Sequence, residues 1–401
     1  MKPNVRIKGY TDAWKRVFLH DCLDISTEVN CHNVYGKNDV LSVSDDYGVV
    51  NQIQHLGRSY AGKSVSGYKI LVPGQIVYTK SPLRDKPFGI IKENNYKAGI
   101  VSVLYAVYNV KNDIYSKYIQ RYFDPKDRIN KYLLPLVNKG AKNTMNISDE
   151  MALNGEISIP TNIEEQKAIC DYFENIDTLI SKTSARLTSL KQVKEASLQV
   201  MFPQKGETAP KIRFKGFDGE WKETKAAQIF QTTNERNFPK LPVLSATQDK
   251  GMVTRDSIGY NIFHDKSNEA TYKHILPGQF VIHLRSFQGG FAHSSIEGIC
   301  SPAYTIMEFK DKEANFDLYW KYVLTSKQFI KSLEMITYGI RDGRTISFDE
   351  FKETRFLVPQ IEEQQKIASY FVALDKQITL QTQRLEKLKQ IKAACLDKMF
   401  V

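Results

Sequence analysis

The fold of this chain is decided by two related stretches, Pro3–Lys15 (PNVRIKGYTDAWK) and Pro210–Lys222 (PKIRFKGFDGEWK). Pro, Arg, Lys, Gly, Trp and Lys recur in register between them. A repeat that returns after half of a 401-residue chain is far longer than a solenoid unit of about 20–50 residues. The sequence therefore predicts two similar domains in one chain, a pseudo-dimer suited to a target that itself has two parts.

Further segments repeat in the same order along the chain. They are Tyr68–Gln75 with Tyr272–Gln279, Ile163–Gln166 with Ile361–Gln364, Arg186–Lys194 with Arg384–Lys392, and Met201–Phe202 with Met399–Phe400. Short β-type runs separated by Pro-Gly turns, followed by helical patterns, predict an α+β domain in each half. The predicted boundaries are a first domain at 1–159, a helix at 160–202, a linker at 203–209, a second domain at 210–358 and a helix at 359–401.

Each half ends in a long amphipathic segment that contains no Pro or Gly. Asn162 and Glu165 predict a capping box at its start. Apolar residues then follow in four- and three-residue steps, which is typical of a coiled coil. The seam positions are Ile169, Phe173, Ile176, Ile180, Leu187 and Leu190, and then Ile367, Phe371, Leu374, Ile378, Leu385 and Leu388.

Four polar residues interrupt this seam: Thr183, Lys194, Gln381 and Lys392. Helices of roughly 40 residues would be about 60 Å long, which exceeds the reach of one domain of this size. We therefore expect the two helices to pair with each other as an antiparallel coiled coil with pseudo-two-fold symmetry. The alternative is that each helix packs only on its own domain.

Charge and cysteine content limit the possible partners. The chain carries 56 basic and 45 acidic side chains, and most of the excess lies in the two domains rather than in the helices. A basic excess on folded domains favours a polyanion such as DNA, although a solubility surface is the alternative. Five cysteines without a CxxC pair are typical of a reducing cytoplasm. No apolar run is long enough to span a membrane.

Motifs for chemistry are missing from the sequence. Neither GxxxxGK[ST] nor GxGxxG after a strand occurs, so ATP hydrolysis by this chain is not expected. Ser301–Tyr304 (SPAY) is one residue away from the Pro-Pro-aromatic motif of amino-methyltransferases, but Ser102–Tyr105, its repeat partner, lacks both prolines. We predict no catalytic residue, metal site or bound cofactor in this chain.

Three loops recur at equivalent places with different polar residues: Ser42–Gly48 with Ser245–Gly251, Thr79–Arg84 with His283–Gly289, and Asn138–Asn143 with Thr337–Arg344. Two domains that bind different DNA sequences require the same scaffold with different polar residues in the loops. A solvated surface remains the alternative for any single residue. The candidate DNA-binding residues are Lys80, Arg84, Lys142, Asn143, Gln248, Lys250, Arg285, Gln288, Arg341 and Arg344.

The repeated Pro-x-[IV]-Arg-x-Lys-Gly-[FY] stretches, the Pro-Gly-Gln turns, the Ile-Glu-Glu-Gln helix starts and the Arg-Leu-x-x-Leu-Lys-Gln helices resemble the specificity subunit of type I restriction–modification systems. The resemblance extends over essentially the whole chain. It implies that each domain reads one half of a bipartite, asymmetric site on double-stranded DNA, while the helices fix the gap. It also implies two modification subunits, which bring S-adenosylmethionine and methylate adenine, and motor–endonuclease subunits, which use ATP and Mg²⁺.

Two other classes of function compete with this one. A stand-alone DNA methyltransferase or nuclease would modify or cut DNA without partners. A coiled-coil adaptor would bind proteins and not DNA, and salt-sensitive DNA binding would separate it from a specificity subunit because phosphate contacts impose a steep salt dependence.

Overall fold

The structure, a computed structural model, describes residues 2–80, 82–83, 85–139, 145–247, 250–258, 266–283, 290–336 and 347–400. These residues form two compact units. Unit 1 comprises residues 1–184 and 384–401, and unit 2 comprises residues 185–383. Within the described part of the chain, no helix is both long and apolar enough to cross a membrane.

In the described part of the first half, twelve strands and three short α-helices precede the first long helix. The strands are β1 (Lys15–Phe18), β2 (Leu23–Ile25), β3 (Leu41–Ser44), β4 (Gly48–Asn51), β5 (Lys69–Leu71), β6 (Ile76–Thr79), β7 (Ile90–Glu93), β8 (Gly99–Val101), β9 (Tyr105–Val110), β10 (Asn138–Lys139), β11 (Met145–Asn146) and β12 (Glu156–Ile159). The helices are α1 (Gln52–Leu56), α2 (Ser116–Phe123), α3 (Lys126–Leu133) and the long α4 (Ile163–Val200).

The second half repeats this order of elements. Its strands are β13 (Lys222–Lys225), β14 (Phe230–Thr233), β15 (Leu244–Thr247), β16 (Gly251–Thr254), β17 (Lys273–Ile275), β18 (Phe280–Ile282), β19 (Phe291–His293), β20 (Gly298–Cys300), β21 (Thr305–Phe309) and β22 (Arg355–Val358). Its helices are α5 (Ala226–Ile229), α6 (Asp317–Leu324), α7 (Lys327–Ile336), α8 (Phe348–Phe351) and the long α9 (Ile361–Lys398).

The two halves share one sheet topology. The order β2-β9-β6-β7 in unit 1 recurs as β14-β21-β18-β19 in unit 2, with all pairs antiparallel. Three two-stranded ladders recur as well: β1 with β12, β3 with β4 and β5 with β8, matched by β13 with β22, β15 with β16 and β17 with β20. The predicted fold class, two tandem similar α+β domains each followed by a long helix, is confirmed.

Each unit buries its main core between the four-stranded sheet, the short helices and the long helices. In unit 1, Tyr78 and Tyr108 from the sheet pack with Tyr118 from α2 and Phe173 from α4. In unit 2, Phe280 and Met307 from the sheet pack with Trp320 from α6 and Phe371 from α9. Alternate residues of these strands face this core, and the residues between them, such as Val77 and Val281, are buried in a second, smaller cluster of each unit.

Two breaks in the chain shape the first domain. The apolar run from Ile100 to Val110 forms two strands, since a turn at residues 102–104 separates β8 from β9. Helix α3 ends at Leu133, where a 3₁₀ turn follows. Pro135 accounts for that ending, because a proline cannot donate the hydrogen bond that continues an α-helix.

Candidate nucleic-acid interface

A buried carboxylate at the start of each long helix anchors its domain. Glu165 accepts hydrogen bonds from Arg6 Nε (2.6 Å) and Nη2 (2.7 Å), and from Trp14 Nε1 (3.2 Å). The predicted capping box is therefore half wrong: Asn162 Oδ1 does accept from the backbone N–H of Glu164 (2.8 Å), but the Glu165 side chain binds Arg6 and Trp14 instead of the helix start. The first repeated stretch is thereby fixed to α4.

The same anchor recurs in unit 2. Glu363 accepts from Arg213 Nε (2.8 Å) and Nη2 (2.7 Å), and from Trp221 Nε1 (3.1 Å). A two-pronged Arg–carboxylate contact fixes orientation as well as distance. The repeated Arg, Trp and Glu residues thus hold each domain at a defined angle to its helix.

Repeated glutamines complete the frame. Gln166 Nε2 donates to the carbonyls of Asp113 (3.2 Å) and Pro160 (3.1 Å), and its Oε1 accepts from the N–H of Tyr115 (2.9 Å). Gln364 makes the corresponding contacts with Ala314, Pro359 and Phe316. These bonds tie the loop before α2 or α6 to the long helix in each unit.

Each Pro-Gly-Gln turn leads into the strand, β6 or β18, that ends at the second recurring loop. Gly74 and Gly278 have φ of +87° and +86°, a backbone region that favours glycine. The next residue, Gln75 or Gln279, accepts from the backbone N–H two residues before the glycine, at 2.8 Å in both units. This turn explains why the three residues repeat.

The long-helix segments of each unit contact one another with antiparallel polarity. In unit 1, Tyr172 lies 3.3 Å from Cys395 Sγ, and Lys392 Nζ lies 2.6 Å from Asp177. In unit 2, Ser197 lies 2.9 Å from Tyr370, and Lys194 Nζ lies 2.5 Å from Asp375. In both units, contacts with later residues of α4 involve earlier residues of α9, so the two segments run antiparallel.

The structure places the predicted seam residues at different depths. Most are buried: Ile169, Phe173, Ile176, Leu187, Ile367, Phe371 and Leu374. The others are half-buried: Ile180, Leu190, Ile378, Leu385 and Leu388. Thr183, which interrupts the seam, is buried as well.

The first recurring loop forms the turn of a β-hairpin in unit 1, between β3 and β4. Tyr47 at this turn is 69% exposed, and its ring centroid lies 5.2 Å from that of His55 on α1. Tyr96 donates its hydroxyl to Gln54 Oε1 (3.1 Å) beside them. In unit 2, Lys250 directly precedes β16, at the end of the equivalent loop, and is exposed. We call Tyr47, Gln54, His55 and Tyr96 the tip surface.

Lys80 follows β6 at the start of the second loop and is held by an ion pair. Its Nζ lies 2.5 Å from Asp149 Oδ1, and Lys69 Nζ lies 2.5 Å from Oδ2 of the same carboxylate. Burial would raise the pKa of Asp149, but the hydrogen bonds from Lys69 and Lys80 lower it below its ordinary value. Asp149 therefore stays charged at neutral pH and fixes Lys80.

Of the ten candidate DNA-binding residues, the structure describes Lys80 and Lys250. Lys80 belongs to unit 1 and Lys250 to unit 2. The other eight lie outside the described residues: Arg84, Lys142, Asn143, Gln248, Arg285, Gln288, Arg341 and Arg344.

Sequence reasoning missed several residues around these loops. Asp149, Lys69 and the tip surface were not singled out, and neither were Lys86 and Lys92, two buried lysines that contact Asp45 in the first loop. A lysine that directly follows two isoleucines in a strand, as in β7 (Ile-Ile-Lys-Glu), is the one available signal, because lysine is rarely buried without a partner.

Residues 218–390 match the model of the family described as type I restriction modification DNA specificity domain. The second half of this chain is therefore similar to that domain. The resemblance to the specificity subunits of type I restriction–modification systems is thereby confirmed, and the repeated frame extends it to the first half. No curated protein sequence matches the chain significantly.

Two solved structures have a similar fold over their full length. The S subunit of the type I restriction–modification system from M. genitalium covers 100% of this chain and 99% of its own, at 13% identity and a TM-score of 0.58. The HsdS subunit from Thermoanaerobacter tengcongensis covers 98% of each chain, at 15% identity and a TM-score of 0.50. At such identities the likeness concerns the fold alone.

Proposed function

We propose that this chain is a noncatalytic, sequence-specific DNA-binding subunit that recognises a bipartite, asymmetric site. It directs adenine methylation, and ATP-dependent restriction of unmodified DNA, by partner subunits. The observation that carries the proposal is the DNA specificity family match of residues 218–390, together with a first half that repeats the same sheets, anchors and helices.

The division between common frame and variable loops supports two half-sites of different sequence. The anchors, the Pro-Gly-Gln turns and the interhelical contacts recur almost residue for residue. The loops do not: Lys80 is held by Asp149 in unit 1, whereas the residue at its place in unit 2, two after Ile282, is a leucine. Different polar edges on one scaffold read different base sequences.

The proposed partners are double-stranded DNA, two methyltransferase subunits that carry S-adenosylmethionine, and motor–endonuclease subunits that use ATP and Mg²⁺. The long helices are the proposed platform for the methyltransferase subunits, and the cytoplasm is the proposed compartment. The basic excess of the chain, 56 basic against 45 acidic residues, supports a polyanionic target.

The deciding experiment is footprinting of the full chain, assembled with its methyltransferase subunits, on the DNA that the complex selects from a random duplex pool. We expect two protected patches on one duplex, separated by a few base pairs whose sequence is not selected. A single continuous patch, or no selected sequence, would overturn the proposal. The purified chain alone, given S-adenosylmethionine or Mg²⁺, should leave DNA unmodified and uncut.

A domain exchange and an insertion test the two parts separately. Replacing residues 1–155 with another recognition domain should change one half-site only, and replacing 210–358 should change the other. Inserting seven residues at equivalent places in both long helices should add about 10 Å, which is about three base pairs of gap. Altered half-site sequences with an unchanged gap would contradict the role of the helices.

A further inference from the structure

Two lysines of unit 1 are buried beside the first recurring loop. The side chains of Lys86 and Lys92 are only 8% and 7% exposed. Lys86 Nζ donates to Asp45 Oδ1 (2.7 Å), and Lys92 Nζ lies 3.3 Å from the same oxygen. Burying an ammonium group is costly unless a carboxylate compensates it, so Asp45 and the two lysines depend on each other.

The charges continue from this loop to the long helices. Lys92 Nζ also lies 3.3 Å from Asp124 Oδ1, and Asp124 accepts from Arg121 Nη1 at 2.9 Å. Arg121 Nη1 lies 3.0 Å from Asp177 on α4, which also accepts from Lys392 at 2.6 Å.

Together these groups line a cavity of about 550 Å³. Among the described residues, each of its cations already faces a carboxylate. The cavity is therefore not a vacant anion site, and its charges form a fixed alternating chain.

Among the residues that the structure describes, only the helix end of this series of charges recurs in unit 2. The pair of Lys392 and Asp177 recurs as Lys194 and Asp375. The strand registers place Ala292 where unit 1 has Lys92, since both pair with the second residue of β6 or β18. Tyr322 and Thr325 stand where unit 1 has Arg121 and Asp124. The buried lysines therefore serve something that the first domain does and the second does not.

What the lysines hold is the β3–β4 turn, which carries Tyr47 of the tip surface. Asp45 lies in that turn, two residues before the exposed Tyr47. Lys86 lies in the connection from β6 to β7, where its backbone pairs with that of Leu83. Burial would raise the pKa of Asp45, but Lys86 and Lys92 lower it, so the carboxylate stays charged at neutral pH. The ion cluster thus joins the first recurring loop to the β6–β7 connection, whose Leu83 belongs to the second recurring loop.

We propose that Lys86 and Lys92 are positioning residues for DNA recognition by the first domain. They hold Asp45 and so fix the β3–β4 turn in the orientation that presents Tyr47 to the half-site read by this domain. Neither lysine contacts DNA, because both are buried. This inference rests on the proposed function and assigns part of its specificity to one loop.

The test compares affinities of the complex of the full chain with its methyltransferase subunits, at one fixed salt concentration. The DNAs are the selected site, the same site with one half randomised, and the same site with the other half randomised. For Lys92→Met we expect the preference at the first domain's half-site to fall by about tenfold, a loss on the scale of one mismatched base pair. The preference at the other half-site stays unchanged, and Lys92→Arg restores the first.

Matched variants separate positioning from charge and from folding. Lys131→Met removes one positive charge from an exposed place on α3 and should leave both preferences unchanged. Asp45→Asn removes the negative charge through which the lysines hold the turn. Because Asp45 is 38% exposed, this variant leaves no buried cavity. It should reproduce the selective loss even if Lys92→Met fails to fold. Equal losses at both half-sites, no loss in Asp45→Asn, or no recovery with Lys92→Arg would each overturn the inference. If the unaltered complex selects no bipartite site, the proposed function fails instead.

Discussion

Lys194 Nζ lies 2.5 Å from Asp375 Oδ1, and the equivalent pair, Lys392 with Asp177, lies at 2.6 Å. Both lysines occupy positions that interrupt an otherwise apolar seam. The structure gives the interruption a reason, because each lysine meets a carboxylate of the other long helix within its own unit. A polar pair at a seam position favours one register and one orientation, as a buried asparagine does in a coiled coil.

We expect Asp375→Asn to lower the free energy of unfolding by about 1 kcal/mol, because the pair is only partly exposed, at 28% and 33%. A double-mutant cycle with Lys194→Met, followed by urea unfolding, measures the coupling directly. Glu195→Gln is the control, since its partner Lys327 is 90% exposed and the pair should contribute almost nothing. Equal effects of Asp375→Asn and Glu195→Gln would contradict this account.

The anchor at the start of α9 should matter far more. Glu363 is 2% exposed and binds both Arg213 and Trp221. Glu363→Gln leaves the guanidinium without its charged partner, and breaking a buried pair in this way costs about 3–5 kcal/mol. Arg213→Lys should cost part of that amount, because lysine cannot form the two-pronged contact. The loss is measured as a fall in the midpoint of thermal unfolding.

Glu362→Gln provides the matched control for that prediction. Glu362 is the neighbouring residue in the first turn of α9, and it is exposed. Its loss removes only the interaction of a negative charge with the helix dipole, about 0.3–1 kcal/mol. If Glu363→Gln were no more damaging than Glu362→Gln, the anchor would not hold the domain to its helix.

The sequence predicted the frame well because the frame repeats. Arg6, Trp14 and Glu165 were recognised as parts of repeated stretches, but their contact was not, since it joins residues about 150–160 positions apart. Spacing within a helix favoured a capping role for Glu165, and the distant arginine outcompeted it. Local patterns describe hydrogen bonds inside one element and cannot show which remote side chain will reach it.

The ion pairs between the long helices could have been found from the repeat. The spacing from Asp177 to Lys194 equals the spacing from Asp375 to Lys392. All four residues lie on the two helices that carry the apolar seam. The buried lysines of unit 1 could not, because nothing equivalent to Lys92 exists in the second half and its partners lie on other elements. Comparing the two halves of the sequence identifies the residues that both domains share, but not those that give one domain its own specificity.

The residues that follow α9 should be needed to fold unit 1. Phe400 is 5% exposed, and its ring centroid lies 5.6 Å from that of Tyr118 and 6.0 Å from that of Phe173. Arg128 covers the ring at 4.8 Å. Phe400→Ala should lower the free energy of unfolding by about 3–5 kcal/mol, the usual cost of emptying a buried aromatic site. Val372→Ala, at a 38% exposed position of α9, should change it little. Comparable effects of the two variants in urea unfolding would refute the prediction.

His274 makes the stability of unit 2 depend on pH. Its ring nitrogens lie 3.0 Å from Glu235 and 2.9 Å from Glu297, and Phe238 stacks on the ring at 3.9 Å. Burial lowers the pKa of His274, but the two hydrogen-bonded carboxylates raise it, and the net shift is upward. A histidine with a raised pKa stabilises the fold fully below its unfolded pKa of about 6.5 and loses that contribution as pH rises through the folded value.

The variant that isolates this effect is His274→Ile, because Ile70 occupies the equivalent position in unit 1, on β5. We expect the wild-type chain to unfold at a higher temperature than the variant at pH 6, and that advantage to shrink at pH 8. The effect should be modest, since Glu235 and Glu297 are 60% and 49% exposed and water screens them. Taking the difference between the two melting temperatures at each pH removes the contribution of all other titrating groups. A difference that stays constant from pH 6 to pH 8 would show that folding leaves the pKa of this imidazole unshifted, and would contradict the prediction.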